Sequence, residues 1–295
     1  MTAKIIDGKK ISAELRQEIK ARVSELAKRG IVPGLATILV GEDPASQLYV
    51  SSKIKACEEA GIKSFSHRLP GTATEAEIIK LIESLNNDPR VNGILLQLPL
   101  PKGLSSDRCL DAIDPAKDAD GLHVKNLGKL LEAKSYQEIL DKKLVLPCTP
   151  HGVIKLIEKM GIEISGKKAV VVGRSNLVGK PAAVLLLSKD ATVTMAHSKT
   201  ADLMHICNDA DILIAAMGKP KFITKEFVKH GACVIDVGTN RQSSGLCGDV
   251  DFENVRDVAG FISPVPGGVG PMTITMLLNN AVLAAEKKAG GGVNR

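Results

Sequence analysis

Short apolar runs alternate along this chain with stretches whose apolar positions recur at helical spacing, and that alternation points to α/β architecture. Ile11, Leu15, Ile19, Val23 and Leu26 fall on one helical face, and Gly30 supplies a stop, so the spacing predicts an amphipathic helix over 11–29. Leu35–Val40 reads as a buried strand. A helix over 44–60 follows, closed by Gly61. Thr74 and Glu77 have the spacing of a capping box, before a helix with Ile78, Ile82 and Leu85 on its apolar face. Asn86–Pro89 breaks that helix, and 93–98 (GILLQL) is the next strand. The polar stretch 114–128 predicts a domain junction near residue 120. Thr149-Pro150 reads as an N-cap followed by proline at the first helical position, with the helix running to about Met160. Strands are expected at 169–172, 192–195, 212–215 and 234–237, then a last helix at about 272–288 and a disordered tail over 290–295.

Composition excludes several classes. Aromatics make up only 2% of the 295 residues and tryptophan is absent, which argues against binding single-stranded nucleic acid by stacking. The net charge of +6 is spread along the chain, so it reads as a solvated surface with a mild attraction for anionic ligands. The six cysteines lack metal-ligand spacing, and the expectation is reduced, mostly buried thiols in a cytoplasmic protein. No apolar stretch is long enough to span a bilayer, so no membrane partner is expected.

Residues 169–180 (AVVVGRSNLVGK) form a strand that ends at Gly173 and a helix that begins near Val178-Gly179. Strand, glycine turn and helix N-terminus together suit a pyrophosphate. The spacing departs from GxGxxG, so the motif alone is weak. Its surroundings strengthen it. An NAD site is expected to place an acid about 20 residues past the first glycine, to bond the ribose 2′-hydroxyl. Here the next strand ends instead in His197, Ser198, Lys199 and Thr200, and Arg174 lies beside the turn. Cations and hydroxyls suit a 2′-phosphate, which favours NADP over NAD.

Tyr49 and Lys53 are four residues apart and share a helix face beside the apolar stripe Val50, Ile54 and Cys57. A lysine at the border of a buried face can be desolvated, and desolvation favours the neutral amine that a general base requires. Short-chain dehydrogenases also use Tyr-x-x-x-Lys, but there the glycine turn comes first, and here the order is reversed. Gln97 ends an otherwise apolar strand and needs a partner or a ligand. Asp118 and Asp120 lie in KDADGLH, where turn formation is the simpler reading and no ligand cluster points to a metal.

Taken together, YVSSK (49–53), QLPLP (97–101), KDADG (117–121), PCTP (147–150), VVGRSNLVGKP (171–181), GDV (248–250) and PVPGGVGPMT (264–273) resemble, in order, the methylenetetrahydrofolate dehydrogenase/methenyltetrahydrofolate cyclohydrolase family. The resemblance runs from IIDGK at 5–9 to the last helix. It implies two α/β domains flanking a cleft, a folate-binding catalytic domain over 1–120 and a Rossmann-like NADP-binding domain with a parallel sheet over 121–290, in a homodimer. Lys53 matches the family's catalytic lysine, Tyr49 its aromatic neighbour, Gln97 the residue that tunes the lysine, and Asp120 the carboxylate that holds the pterin. Leu96 and Leu98 match substrate-binding positions around Gln97. The segment Pro266, Gly267, Gly268, Val269, Gly270 and Pro271 matches one that closes over folate and nicotinamide. Gly173, Arg174, Ser175, Ser198 and Thr239 match positions that contact NADP. Val124-Lys125 after His123, and a short 240–247 segment, depart from the pattern of many relatives.

The implied chemistry is oxidation of 5,10-methylenetetrahydrofolate with NADP⁺, then hydrolysis of the methenyl product to 10-formyltetrahydrofolate, without a metal. That chemistry belongs to one-carbon metabolism and supplies purine biosynthesis. A relative with dehydrogenase activity only would not need to keep Lys53 and Gln97, and a non-catalytic NADP-binding regulator would need neither of them nor Asp120.

Overall fold

The computed structural model describes residues 2–243 and 245–290. Its strands are β1 (Lys4–Ile5), β2 (Gly34–Val40), β3 (Lys63–Leu69), β4 (Gly93–Leu96), β5 (Lys168–Val172), β6 (Thr192–Ala196), β7 (Ile212–Ala215), β8 (Cys233–Asp236), β9 (Asn240–Gln242), β10 (Gly245–Cys247) and β11 (Phe261–Ile262). Contacts divide the chain into two compact units, Met1–Ala13 with Lys129–Thr273, and Glu14–Gly128 with Ile274–Arg295.

The unit containing Glu14–Gly128 is built on a parallel three-stranded sheet in the order β3-β2-β4. All seven residues of β2 are buried, as a central parallel strand covered on both faces requires. Ala36, Ile38 and Val40 alternate with Leu35 and Leu39 along it. They share a core with Ile94 and Leu96 of β4 and with Ile78, Ile82 and Leu85 of the helix Glu75–Asn87. That helix starts as its sequence implies: the Thr74 hydroxyl accepts from Glu77 N while the Glu77 carboxylate accepts from Thr74 N. The helix Pro44–Ala60 also starts and stops where expected, with Asp43 accepting from Ser46 N at 2.8 Å and Gly61 left-handed at the end. In the same unit, Arg22 of the helix Gly8–Lys28 makes a bidentate pair with Glu286 of the helix Val269–Gly290.

The unit containing Lys129–Thr273 is built on a parallel six-stranded sheet in the order β1-β11-β8-β7-β5-β6. From β5 the chain moves outward to β6, then returns past β5 to β7 and β8. The reversal leaves a crevice outside the carboxyl ends of β5 and β7, the place where open α/β sheets take ligands. Val170 and Val172 of β5, Leu213 and Ala215 of β7 and Val234 of β8 form one side of this sheet's core.

Several expectations change. Thr149 is not an N-cap: the helix spans Cys148–Lys159, Pro147 holds the cap position, and no side chain caps it. The Thr149 hydroxyl instead lies 3.0 Å from that of Thr273. The strand expected over 93–98 ends at Leu96, so Gln97 and Leu98 follow it. Gly290 is the last residue of a helix that starts at Val269, three residues before the expected start, and the rest of the tail, 291–295, lies outside the described residues. Strands β1, β3, β9, β10 and β11 add to those read from the pattern. Among the described residues, no helix is long and apolar enough to cross a membrane.

Candidate active site

Helix Pro44–Ala60 buries Val50 and Cys57 completely, so the neighbouring face carries Lys53, half-buried, and Tyr49, 42% exposed. Lys53 Nζ donates to Gln97 Oε1 at 2.9 Å across a sequence separation of 44 residues. Gln97 is itself 8% exposed and fixed at two further points: its backbone N donates to Ile38 O, and Nε2 donates to Leu98 O at 2.6 Å. The Leu98 carbonyl accepts only from a donor, so it sets which end of the amide faces the lysine. The polar residue at the end of an apolar strand therefore has its partner, and that partner is the lysine picked out by the helix pattern.

Asp118 and Asp120 divide their roles. Asp118 is 3% exposed, and its carboxylate accepts from Gly121 N, His123 N and Asn126 Nδ2 at 2.9 Å each, so it shapes the turn. Asp118 also bridges in parallel to Ile94 of β4, so Asp120, half-buried, emerges beside the strand end at Leu96, which Gln97 and Leu98 follow. At the noted departure, Val124 starts the helix Val124–Glu132 and is 60% exposed, while Lys125 N donates to His123 Nδ1.

In the other unit, Gly173 follows β5 directly with φ +141°, and a Cβ there would collide with the carbonyl of Ala216, the residue after β7. Only glycine lets these two strand ends close up. The Ser175 hydroxyl accepts from Val178 N at 3.1 Å, at the entry to the helix Gly179–Ser188. Arg174 and Ser175 are exposed, as are Ser198 and Lys199 past the end of β6 and Thr239 past the end of β8. All of them cluster at one edge of the sheet, its carboxyl edge.

The 266–271 segment is held from beneath by the start of the chain. Lys9 N donates to Gly267 O at 3.1 Å, and a Cβ on Gly8 would collide with the Gly268 carbonyl. Ser12 Oγ donates to Pro271 O at 3.3 Å. Pro266 and Gly270 are exposed, whereas Gly268 and Val269 are buried. So Tyr49, Lys53, Leu96, Gln97, Leu98 and Asp120 belong to one unit. Gly173, Arg174, Ser175, Ser198, Thr239 and Pro266–Pro271 belong to the other.

Sequence reasoning missed two buried carboxylates at this carboxyl edge. Asp236, 3% exposed, ends β8 and accepts from Gly238 N, Asp249 N and Val250 N at 2.9 Å each. Burial pushes its carboxyl up to about 7 against the pull of those donors. Asp249, fully buried, accepts from Met217 N, Gly218 N and Asn240 Nδ2. Their signal was an acid ending an apolar strand (CVID) and a second in GDV, both of which look like ordinary turn formers.

The tetrahydrofolate dehydrogenase/cyclohydrolase catalytic domain matches residues 6–120, and the NAD(P)-binding domain of the same family matches residues 147–289. The bifunctional protein FolD of Moorella thermoacetica is 56% identical over 288 residues, covering 97% of this chain and all of that protein. The crystal structure of the bifunctional FolD methylenetetrahydrofolate dehydrogenase/cyclohydrolase of Campylobacter jejuni superposes with TM-score 0.91 at 46% identity, covering 97% of this chain and 99% of that one. The Trypanosoma brucei enzyme, solved in complex with NADP cofactor and an inhibitor, gives TM-score 0.91 at 38% identity over 98% of this chain and 99% of that one. On this agreement over both halves of its length, the chain belongs to the tetrahydrofolate dehydrogenase/cyclohydrolase family.

Proposed function

We propose that this protein oxidises 5,10-methylenetetrahydrofolate to the 5,10-methenyl form with NADP⁺ and hydrolyses that product to 10-formyltetrahydrofolate. The observation that carries the reading is the 2.9 Å bond from Lys53 Nζ to Gln97 Oε1, in a chain of this family. A dehydrogenase alone needs little acid-base help, because the folate nitrogen supplies the electron push and positioning does the rest. A lysine held by a buried, oriented amide is machinery for moving a proton.

The nucleotide's fit can be tested on the sheet edge. Gly173, where any side chain would collide with the Ala216 carbonyl, holds the turn close to the end of β7, and Arg174, Ser198 and Lys199 offer a cation, a hydroxyl and a second cation on exposed residues. That donor set contains no acid to repel a 2′-phosphate, which supports NADP. Bound there, NADP⁺ supplies the hydride acceptor. Gly173, Arg174, Ser175, Ser198 and Thr239 would hold it.

On the folate side, Tyr49 offers an exposed ring face, and Asp120 a carboxylate for the pterin's N–H groups. Leu96 and Leu98 flank Gln97. By resemblance, Pro266–Pro271 is the family's covering segment. As water adds to the methenyl carbon it must lose a proton, and Lys53 would accept it while Gln97 keeps the amine aimed. The hydroxyl of the adduct then gives up its proton as one C–N bond breaks; the departing nitrogen keeps the electron pair and takes up a proton, which Lys53 would return, and the formyl group stays on the other nitrogen, with one proton released overall. No metal enters this scheme. The family resemblance further supports a homodimer working in the cytoplasm.

One assay decides the reading. The protein is mixed with methylenetetrahydrofolate and NADP⁺, and methenyl absorbance is followed. It should rise with NADPH formation and then decay as the ring opens. Absence of NADPH formation would remove the enzymatic reading, and a stable methenyl product would reduce it to a dehydrogenase.

A further inference from the structure

We propose that Asp249 is a positioning residue for the pyridine nucleotide, an inference that rests on the NADP-dependent reading above. Asp249 touches neither the lysine nor the glycine turn. Its role follows from what its two oxygens hold. Oδ2 accepts from Met217 N at 2.7 Å and Gly218 N at 2.9 Å, the backbone that continues β7. Oδ1 accepts from Asn240 Nδ2 at 2.9 Å, at the far end of the turn that continues β8.

These two segments flank the crevice at the carboxyl edge. Ala216, whose carbonyl packs against Gly173, precedes Met217, and its N donates to Val172 O at 2.9 Å. Val237 N donates to Ala215 O at 2.8 Å, which joins the β8 turn to the β7 end. The outer surfaces are open: Gly218 and Thr239 are exposed, and Ala216, Met217 and Val237 are half-buried. The undersides end on one fully buried carboxylate. Asp249 is in turn fixed by its own N, which donates to Asp236 Oδ1 at 2.9 Å.

Three donors converge on an anionic acceptor, and such bonds are about twice as strong as neutral ones. Removing the acceptor leaves the part-buried N–H groups of Met217 and Gly218 unpaired and frees Asn240, so both segments lose the point that holds them together. The loss falls on the surface that receives the nucleotide. The folate-side residues Lys53 and Gln97 lie in the other unit and do not depend on it.

The test compares the parent with Asp249→Ala and Asp249→Asn in the full chain. NADP⁺ binding is titrated by protein thermal shift and by KM in the dehydrogenase assay. Ring opening of methenyltetrahydrofolate is measured with no nucleotide present. In Asp249→Ala, KM and Kd for NADP⁺ should rise about tenfold or more while ring opening stays within about twofold of the parent. Asp249→Asn should recover part of the loss, because its amide oxygen can take both backbone donors while Asn240 turns its own oxygen toward the new NH₂. Unchanged NADP⁺ affinity in Asp249→Ala, or an equal loss of both activities, would overturn the assignment. If Asp249→Ala does not fold, Asp249→Asn decides alone: it must weaken NADP⁺ binding with ring opening intact, or the proposal is wrong. A parent that binds no NADP⁺ would instead remove the functional reading on which this one stands.

Discussion

Lys53 Nζ donates to Gln97 Oε1 at 2.9 Å, and the same amide donates onward to the Leu98 carbonyl at 2.6 Å. The second bond gives the first its meaning. An amide free to rotate could present its NH₂ to the lysine, and two donors would then face each other. Tied to a carbonyl that only accepts, Gln97 presents oxygen to the amine. The partner is also uncharged. A carboxylate at that distance would make an ion pair with the lysine, whereas the amide orients it by a hydrogen bond alone.

Lys53→Met should therefore abolish ring opening of methenyltetrahydrofolate while NADP⁺-dependent hydride transfer remains measurable. Gln97→Glu is the subtler variant. It keeps the shape and replaces the neutral amide with an anion that pairs with the lysine, so ring opening should fall by about tenfold or more. Ring opening by Lys53→Met at the parent rate would remove the lysine from the mechanism.

Arg174 lies exposed beside Gly173, with Ser198 and Lys199 past the end of the neighbouring strand β6. NAD⁺ lacks the 2′-phosphate, so a guanidinium assigned to that group has nothing to gain from it there. Arg174→Ala should raise KM for NADP⁺ by about tenfold, as for a lost charge-assisted contact, and leave KM for NAD⁺ nearly unchanged. Equal effects on the two cofactors in steady-state kinetics would sink the 2′-phosphate assignment.

The helix that carries Tyr49 and Lys53 begins at a cap that can be removed separately. Asp43 accepts from Ser46 N at 2.8 Å, and Ser46 is buried, so the orphaned N–H would find no water. Asp43→Ala should cost about 1 kcal/mol and lower Tm by about 2–4 °C, with Asp43→Asn keeping most of it. An unchanged melting curve for the alanine variant would show that the cap contributes nothing.

What could be read from the sequence depended on whether one local rule dominated. β2 has seven buried residues, and the helix Pro44–Ala60 has Asp43 before it and Gly61 after it, so pattern and punctuation agreed. β3 (KSFSHRL) lies at a sheet edge with only partial burial, and Ser, His and Arg there masked the strand. β1 and β11 have two residues each and exist through pairing with distant partners, which no local pattern encodes. Thr149-Pro150 looked like a cap because the local sequence permits one, but a tertiary contact with Thr273 took the hydroxyl. In the site, a helix face and a strand end drew notice to Lys53 and Gln97, and the motifs YVSSK and QLPLP gave them their proposed roles. Asp236 and Asp249 were not legible, since an acid after a strand is what any turn would use.

His151 and Asp236 make opposite demands on pH. His151 is 7% exposed in the helix Cys148–Lys159, and neither ring nitrogen has a hydrogen-bond partner among the described residues. Burial first, and the Lys155 cation second, push its imidazolium down to about 3, against the weaker pull of Glu158. The unfolded chain protonates this histidine near pH 6.5 and the folded chain does not, so it removes stability as pH falls from about 6.5 toward 3. Asp236, raised to about 7, does the reverse. Folded, it keeps its proton where the unfolded chain has lost it, so its stabilisation is full below about 4 and is lost as pH rises through about 7. Between about pH 4.5 and 6.5 each changes stability by about 1.4 kcal/mol per pH unit, with opposite sign, so the two contributions offset each other in the parent. In His151→Phe the Asp236 contribution stands alone. Relative to the parent, the variant should gain stability on acidification by about 1.4 kcal/mol per pH unit below 6.5. Urea unfolding at pH 7.0, 6.0 and 5.0 measures it, and parallel profiles for the two proteins would mean that the buried imidazole takes up its proton without unfolding.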